Sequence, residues 1–132
     1  MFLDANIFIY SFGNKEGASK SACANQLKRI INGEMRAQTS TLVLNEVLYY
    51  FENKYSKQDA LRIFNNIISF KNLDILPVDR NALLYVSEFS NAGFEASDAY
   101  HAAVMKSNGL DTICTYDKAF DKAKGLKRQE PK

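Results

Sequence analysis

Four acidic side chains stand where the sequence pattern favours the end of a strand or the beginning of a helix. Asp4 interrupts the apolar run MFLDANIFIY, and Asp117 comes two residues after the segment DTICT. Glu46 is the only acid in the stretch LVLNEVLYYF, and Asp98 opens the segment SDAYHAA. Because a buried carboxylate without a partner costs several kcal/mol, an acid inside an apolar strand calls for a compensating proton or cation.

The remaining residue types limit what that cation is. His101 is the only histidine, and the two cysteines, Cys23 and Cys114, lie far apart in the chain. Zinc sites of the H-E-x-x-H type and thiolate clusters are therefore excluded. Converging carboxylates need neutralising, and an all-oxygen site favours Mg²⁺ or Mn²⁺. Such ions activate water and hold a scissile phosphate, so the acids predict phosphodiester hydrolysis.

Each acid taken alone also has an ordinary explanation. Asp98 near a helix start complements the helix dipole, and Asp4 and Asp117 are plausible N-caps. Glu46 on an otherwise apolar helix can simply project to solvent. Only the four together favour a site.

Twelve segments are predicted, in the order β-α-α-β-α-α-β-α-α-β-α-β. MFLD, MRAQTS, LDILPV, DTICT and GLKRQ are the predicted strands. Helices are expected over NIFIYSF, over SKSACANQLKRIIN, after Ser40 or Thr41, after the capping-box serine Ser56, from Asp79 to about Gly93, and from Ser97 or Asp98 to Asn108, with a helical turn over DKAFDKA. Strands separated by helices predict an α/β fold, with a short, mainly parallel sheet between two layers of helices.

A parallel sheet brings the carboxyl ends of its strands to one edge, where such folds bind ligands. Asp4 and Asp117 are expected to share that edge, with Glu46 reaching over it from its helix. Asp98 joins them only if the N-terminus of its helix points the same way.

The bulk composition predicts one domain over residues 1–132. With 46% hydrophobic and 24% charged residues the chain is not disordered. No apolar run is long enough to cross a membrane, and no basic segment precedes the first apolar stretch. We therefore expect a cytoplasmic protein with no membrane partner and with buried free thiols.

The charge balance is informative once the four acids are set aside. The chain has 17 basic and 15 acidic side chains, a net charge of +2, so the rest of the surface carries 17 basic against 11 acidic side chains, a net +6. A basic surround suits a phosphate backbone. The region after Tyr116 contains six of the basic residues and is either a solvated tail or a contact for RNA.

The segments LDANIF, LVLNE, SDAYHAA and TYDKAF resemble, in this order and over nearly the whole chain, the four acidic motifs of PIN-domain ribonucleases, and above all the VapC-type toxins of toxin–antitoxin pairs. The resemblance implies an α/β/α sandwich and a Mg²⁺- or Mn²⁺-dependent endoribonuclease acting on single-stranded RNA, with a separate antitoxin as partner. It makes Asp4, Glu46, Asp98 and Asp117 the metal-binding acids.

The same resemblance suggests supporting residues. Asn6 matches a small polar position that supports the site, and Thr115 a position where the family often has Ser or Thr. Asp121 lies four residues past the last acid and is either an outer ligand or a surface charge, with the latter favoured. His101 follows the third acid by three residues, which predicts helix packing or a hydrogen bond to the site.

An aromatic run within LYYFENKY leaves the choice of partner surface open. Tyr49, Tyr50 and Phe51 either line a face for a homodimer or an antitoxin helix, or belong to a helix buried on two sides within the domain.

Other functions stay in competition with the nuclease. Phosphotransfer of the haloacid-dehalogenase type wants D-x-D at the end of the first strand, and this chain has DAN there. A PIN-like module that binds RNA or protein without catalysis is the other alternative. Whether a nuclease of this kind is a toxin or a housekeeping enzyme is also open.

Overall fold

The structure, a computed structural model, describes all of residues 1–132. Its strands are β1 (Phe2–Leu3), β2 (Ala37–Ser40), β3 (Leu73–Leu76), β4 (Thr112–Cys114) and β5 (Lys127–Gln129). Its helices are α1 (Ala5–Phe12), α2 (Ala18–Ile31), α3 (Thr41–Lys54), α4 (Lys57–Ile68), α5 (Arg80–Leu83), α6 (Val86–Asn91) and α7 (Ala96–Ser107), with a 3₁₀ helix over Lys118–Lys122.

The five strands form one sheet in the order β3-β2-β1-β4-β5, and every neighbouring pair is parallel. From β1 the chain moves outward through β2 to β3, then crosses back to β4 and β5. Right-handed crossovers in opposite directions place their helices on opposite faces, so α1–α4 cover one face and α5–α7 the other. The predicted α/β/α sandwich with a parallel sheet is confirmed.

Local hydrogen bonds explain where several helices begin. The Ser40 hydroxyl accepts from the Val43 N–H at 3.2 Å, and the Ser56 hydroxyl accepts from the Asp59 N–H at 3.0 Å. Asp79 caps α5 by accepting from the N–H of the third residue beyond it, at 3.1 Å. These are the side-chain caps that the sequence predicts.

The segment from Asp79 to Gly93 differs from the prediction. It forms two short helices, α5 and α6, where one was expected. The Tyr85 N–H bonds to the Ala82 carbonyl, three residues earlier, at 3.0 Å. Such a bond tightens the turn and ends the α-helical ladder. The next helix, α7, begins at Ala96, one or two residues before the expected start at Ser97 or Asp98, which leaves Asp98 in its first turn.

The core lies between the sheet and its helices. Phe2, Leu3, Ile113 and Cys114, on the two central strands, are all fully buried. Both cysteines are buried and free, as predicted, and burial raises the pKa of Cys23 to about 11 and that of Cys114 to about 12, so both stay thiols. None of the helices combines the length and apolar character needed to cross a membrane.

The aromatic run on α3 is divided between core and surface. Phe51 is fully buried, whereas Tyr49 is 68% exposed and Tyr50 is 37% exposed. The domain itself therefore does not bury this helix on both sides, and that alternative is wrong.

Candidate metal centre

Asp4 and Thr115 leave adjacent strands at the same edge of the sheet. Leu3, the last residue of β1, pairs with Cys114, the last residue of β4. The Asp4 N–H then donates to the Cys114 carbonyl at 3.2 Å. Because the strands are parallel, the residue that follows each of them emerges at the carboxyl edge. Asp117 comes two residues later at that edge.

Asp4 is only 6% exposed and is fixed by several donors. Its Oδ1 accepts from the Ala5 N–H at 2.7 Å, and its Oδ2 accepts from the Thr115 hydroxyl at 2.7 Å and from the Asn6 amide at 3.4 Å. Burial raises the pKa of Asp4, and these bonds and the nearby His101 only partly offset that effect. The Asp4 carboxylate is therefore well oriented by hydrogen bonds, but its negative charge is not fully compensated by the neighbouring residues.

Both predicted supporting residues, Asn6 and Thr115, contact Asp4. The Thr115 hydroxyl also accepts from the Asn6 amide at 2.8 Å and from the Asp117 N–H at 3.0 Å. The Asn6 carbonyl oxygen accepts from the Tyr116 N–H at 3.4 Å. These bonds tie the start of α1 to the loop after β4, and so hold the first and last acids in a fixed relation.

Glu46, on α3, reaches the edge beside His101 of α7. The His101 Nε2 lies 3.1 Å from Glu46 Oε2 and 3.8 Å from Asp4 Oδ1. One potential ligand atom from each of these three residues lies within 4.8 Å of the others. Although burial lowers the pKa of His101, its hydrogen bond with Glu46 and the neighbouring carboxylates raise it overall. Of the two roles expected for His101, the structure shows both: helix packing and a hydrogen bond to the site.

Asp98 is the acid whose position the sequence left open, and its helix does point to this edge. Burial raises the pKa of Asp98 to about 6, and the charges of Asp117, Asp4 and Glu46 contribute to the rise. The four predicted acids, which we call the acidic cluster, therefore lie near enough to influence one another: Asp4, Glu46, Asp98 and Asp117. Of these four, only Asp4 and Glu46 belong, with His101, to the group whose potential ligand atoms lie within 4.8 Å of one another.

Asp121 has a different environment from the acidic cluster. It is exposed, and its Oδ1 accepts from the Arg128 Nε at 2.9 Å. Arg128 also bonds to Glu130 and to the Thr115 carbonyl. This arginine contact was not expected from the sequence, because the two residues are joined only when β5 pairs with β4.

The acidic cluster has no lysine or arginine within ion-pair distance, and only His101 lies within that distance of Asp4 and Glu46. Asp98 and Asp117 form no ion pair. Carboxylate oxygens lacking internal compensation are the donors that hard divalent cations prefer. The residues present therefore fit a metal ion.

The PIN domain family matches residues 1–126. The chain belongs to the PIN domain family. A VapC ribonuclease of Mycobacterium bovis and ribonuclease VapC13 of Mycobacterium tuberculosis are each 25% identical to this PIN domain over 130 residues, covering 97% of its chain and 98% of theirs.

Solved structures show the same fold. VapBC2 from Rickettsia felis, bound to a DNA fragment from its promoter, has a TM-score of 0.76 at 18% identity, covering 99% of this PIN domain and 98% of that chain. FitAcB from Neisseria gonorrhoeae has a TM-score of 0.75 at 17% identity, covering 98% and 96%. VapC20 of Mycobacterium tuberculosis, a toxin that cleaves the sarcin–ricin loop, has a TM-score of 0.73 at 16% identity, covering 91% and 92%.

Proposed function

We propose that this PIN domain is a metal-dependent endoribonuclease that hydrolyses phosphodiester bonds in single-stranded RNA, as the toxin of a toxin–antitoxin pair. The observation that carries the proposal is the acidic cluster, which gathers at one sheet edge without any lysine or arginine. The sequence relatives named above are ribonucleases by name, and they span almost the full chain.

The four acids would hold Mg²⁺ or Mn²⁺, with Asn6 and Thr115 keeping Asp4 in place. A bound ion of this kind supplies activation of water and neutralisation of charge on the phosphoryl group. Three hydrogen-bond donors already orient the Asp4 carboxylate, so its side chain would lose little conformational freedom on binding a metal ion. Asp117 is exposed, and the cluster is therefore open to solvent on its side. We place the entry of the RNA phosphate there.

The substrate and partner follow from charge and surface. Outside the acidic cluster the side chains carry a net charge of +6, from 17 basic and 11 acidic residues, which suits an RNA backbone. Exposed Tyr49 and Tyr50 offer an apolar surface for an antitoxin or a second copy of the chain. A nuclease of this kind would meet its RNA in the cytoplasm.

Cleavage of a mixed-sequence single-stranded RNA by purified protein, with Mg²⁺, with Mn²⁺ and with EDTA, tests the proposal. We expect metal-dependent cleavage that Asp4→Asn abolishes. Asp74→Asn serves as the matched control, because Asp74 is an acid on the outer strand β3, away from the carboxyl-edge cluster. Equal cleavage by wild type and Asp4→Asn, or cleavage that persists in EDTA, would contradict the proposal.

A non-catalytic binding module is the second candidate, favoured only if folded protein free of any partner cleaves nothing. The phosphotransfer alternative gains no support from the structure, because the Asn6 amide donates to Thr115 and Asp4 in the place where that chemistry needs a second carboxylate.

A further inference from the structure

We propose that His101 is a positioning residue: its Nε2–H donates to Glu46 and orients that carboxylate, and the imidazole is not itself a metal ligand. The inference rests on the proposed metal-binding role of Glu46. It separates two assignments that proximity alone leaves equal, because Asp4, Glu46 and His101 lie close enough together to form a three-ligand set.

The far side of the imidazole decides between the two assignments. His101 is 1% exposed, and its Nδ1 is buried without a hydrogen-bond partner. A histidine that ligates a metal through Nε2 carries its proton on Nδ1, and that N–H is almost always donated to a carboxylate, a carbonyl or water. Here such an N–H would be an orphaned buried donor, which native structures rarely tolerate.

The opposite proton arrangement satisfies the site. With the proton on Nε2, the ring gives Glu46 a donor at 3.1 Å and leaves only a lone pair at Nδ1. Only the Nδ1–H form has a lone pair at Nε2 with which to bind a metal.

Glu46 depends on a single hydrogen-bond partner, unlike Asp4 and Asp117. The Asp4 carboxylate accepts from three donors. The Asp117 carboxylate accepts from the Ala119 N–H, and the Asp117 N–H donates to the Thr115 hydroxyl. The Glu46 carboxylate has one hydrogen-bond partner, His101, and its side chain is 27% exposed. His101 itself is held rigidly in α7, with its ring 6.0 Å from that of Phe2. A buried donor on α7 therefore restrains a partly exposed acid on α3.

Two substitutions distinguish the ring nitrogens of His101, because each places a side-chain amide where one of the two nitrogens stands. In His101→Gln the side-chain amide takes the place of Nε2 and keeps a donor for Glu46, whereas in His101→Asn the amide takes the place of Nδ1 and does not reach it. We expect His101→Asn to weaken Mg²⁺ binding and RNA cleavage by roughly 10- to 100-fold, as loss of an outer hydrogen bond does at metal sites. We expect His101→Gln to stay within a few-fold of wild type.

The metal dependence of the loss gives a second readout. An imidazole ligand favours Mn²⁺ over Mg²⁺, so its removal would weaken Mn²⁺ binding more than Mg²⁺ binding. A positioning residue acts through Glu46, and calorimetric titration of His101→Asn should then show similar losses for both ions. Binding is measured below the thermal midpoint of each variant, so that a difference in stability does not enter.

The decisive measurement needs no variant. Because His101 is the only histidine, a ¹⁵N spectrum of the imidazole reports on this residue alone. We expect Nε2 to stay protonated when Mg²⁺ is added to saturation. Transfer of the proton to Nδ1 on adding Mg²⁺, or equal loss of binding in the Gln and Asn variants, would overturn the inference.

These outcomes are distinguishable from failure of the proposed function. Wild-type protein that binds Mg²⁺ but cleaves no RNA would contradict the nuclease and leave the positioning role intact. Wild type and His101→Asn with the same Mg²⁺ affinity and the same cleavage rate would overturn the positioning role alone.

Discussion

Two aspartates on the same sheet have opposite electrostatic environments. Asp74, on the outer strand β3, accepts from Arg36 at 2.8 and 3.1 Å, and these hydrogen bonds lower its pKa. Asp4, beside the central strand β1, is buried and has only His101 within ion-pair distance, and its pKa is raised. The charge of Asp74 is compensated by Arg36, the residue just before the neighbouring strand β2, whereas no lysine or arginine compensates Asp4.

The difference separates acids that are neutralised within the fold from acids that are not. Asp121 follows the pattern of Asp74, because Arg128 from the last strand neutralises it. Asp98 follows the pattern of Asp4, because burial and the charges of the neighbouring carboxylates oppose its ionised form. An arrangement of this kind is unfavourable for the protein alone and becomes favourable when a cation binds.

The largest difference is expected in catalysis. Asp98→Asn removes a proposed metal ligand and should lower the rate of RNA cleavage by more than about 100-fold, since even outer partners of a metal site cost roughly 10- to 100-fold. Asp74→Asn should leave the rate unchanged. Initial rates with Mg²⁺ measure both. A similar loss in the two variants would show that general charge, and not the cluster, governs cleavage.

A second difference is expected in the response of stability to metal. Mn²⁺ at about 100 times its dissociation constant should add about 2.7 kcal/mol to the free energy of unfolding, which corresponds to a rise in Tm of about 5 to 10 °C. Asp98→Asn should lose most of this rise, and Asp74→Asn should keep it. Thermal melts with and without Mn²⁺ provide the measurement, and Ca²⁺-free EDTA buffer gives the baseline. An undiminished rise in Asp98→Asn would remove that residue from the site.

The pH dependence of stability should differ in sign between the two regions. The pKa of Asp98 is about 6 in the folded protein, above its unfolded value of 3.8, so the metal-free folded state holds this proton more tightly. Its contribution is present below about pH 4 and is lost as the pH rises through about 6. After allowance for solvent screening of a half-exposed group, we expect about 1 kcal/mol. Asp74, whose pKa is lowered, contributes stability above its ordinary pKa that is lost on acidification.

Urea denaturation at pH 4.5 and pH 7 in EDTA measures this dependence. Wild type should lose stability relative to Asp98→Asn as the pH is raised, and addition of Mn²⁺ at pH 7 should reverse the loss. Parallel pH profiles for wild type and Asp98→Asn would contradict the expected coupling.

Much of the fold was predictable because the signals that set it are local. Ser40, Ser56 and Asp79 cap helices through bonds to residues three positions away, and sequence spacing shows such bonds directly. The alternation of strands and helices then fixes a parallel sheet, and with it the shared edge of Asp4 and Asp117. The break between α5 and α6 was missed, because no proline or glycine marks it.

The site was less predictable, because its contacts join distant parts of the chain. Glu46 and His101 are 55 residues apart and meet only when α3 and α7 pack together. Asp98 faces the cluster because the crossover from β3 turns α7 toward the carboxyl edge, a direction that the sequence does not encode locally. The environment of Asp121 depends in the same way on Arg128 and the pairing of β5 with β4.

The smallest effect on stability is expected when the exposed ion pair between Arg36 and Asp74 is broken. Arg36→Ala removes the partner of Asp74, and both side chains are substantially exposed, at 64% and 40%. Exposed pairs contribute little, so Tm should fall by less than about 4 °C, and added salt should shrink the difference further by screening. RNA cleavage and the Mn²⁺-induced rise in Tm should both match wild type. Thermal melts at low and high salt measure the first effect, and a loss of cleavage in this variant would mean that the outer strand and the acidic cluster are not independent. The contrast between Asp74 and Asp4 requires the two regions to be independent. Arg36 neutralises Asp74 within the fold, whereas the acidic cluster is neutralised only by a cation bound from solution.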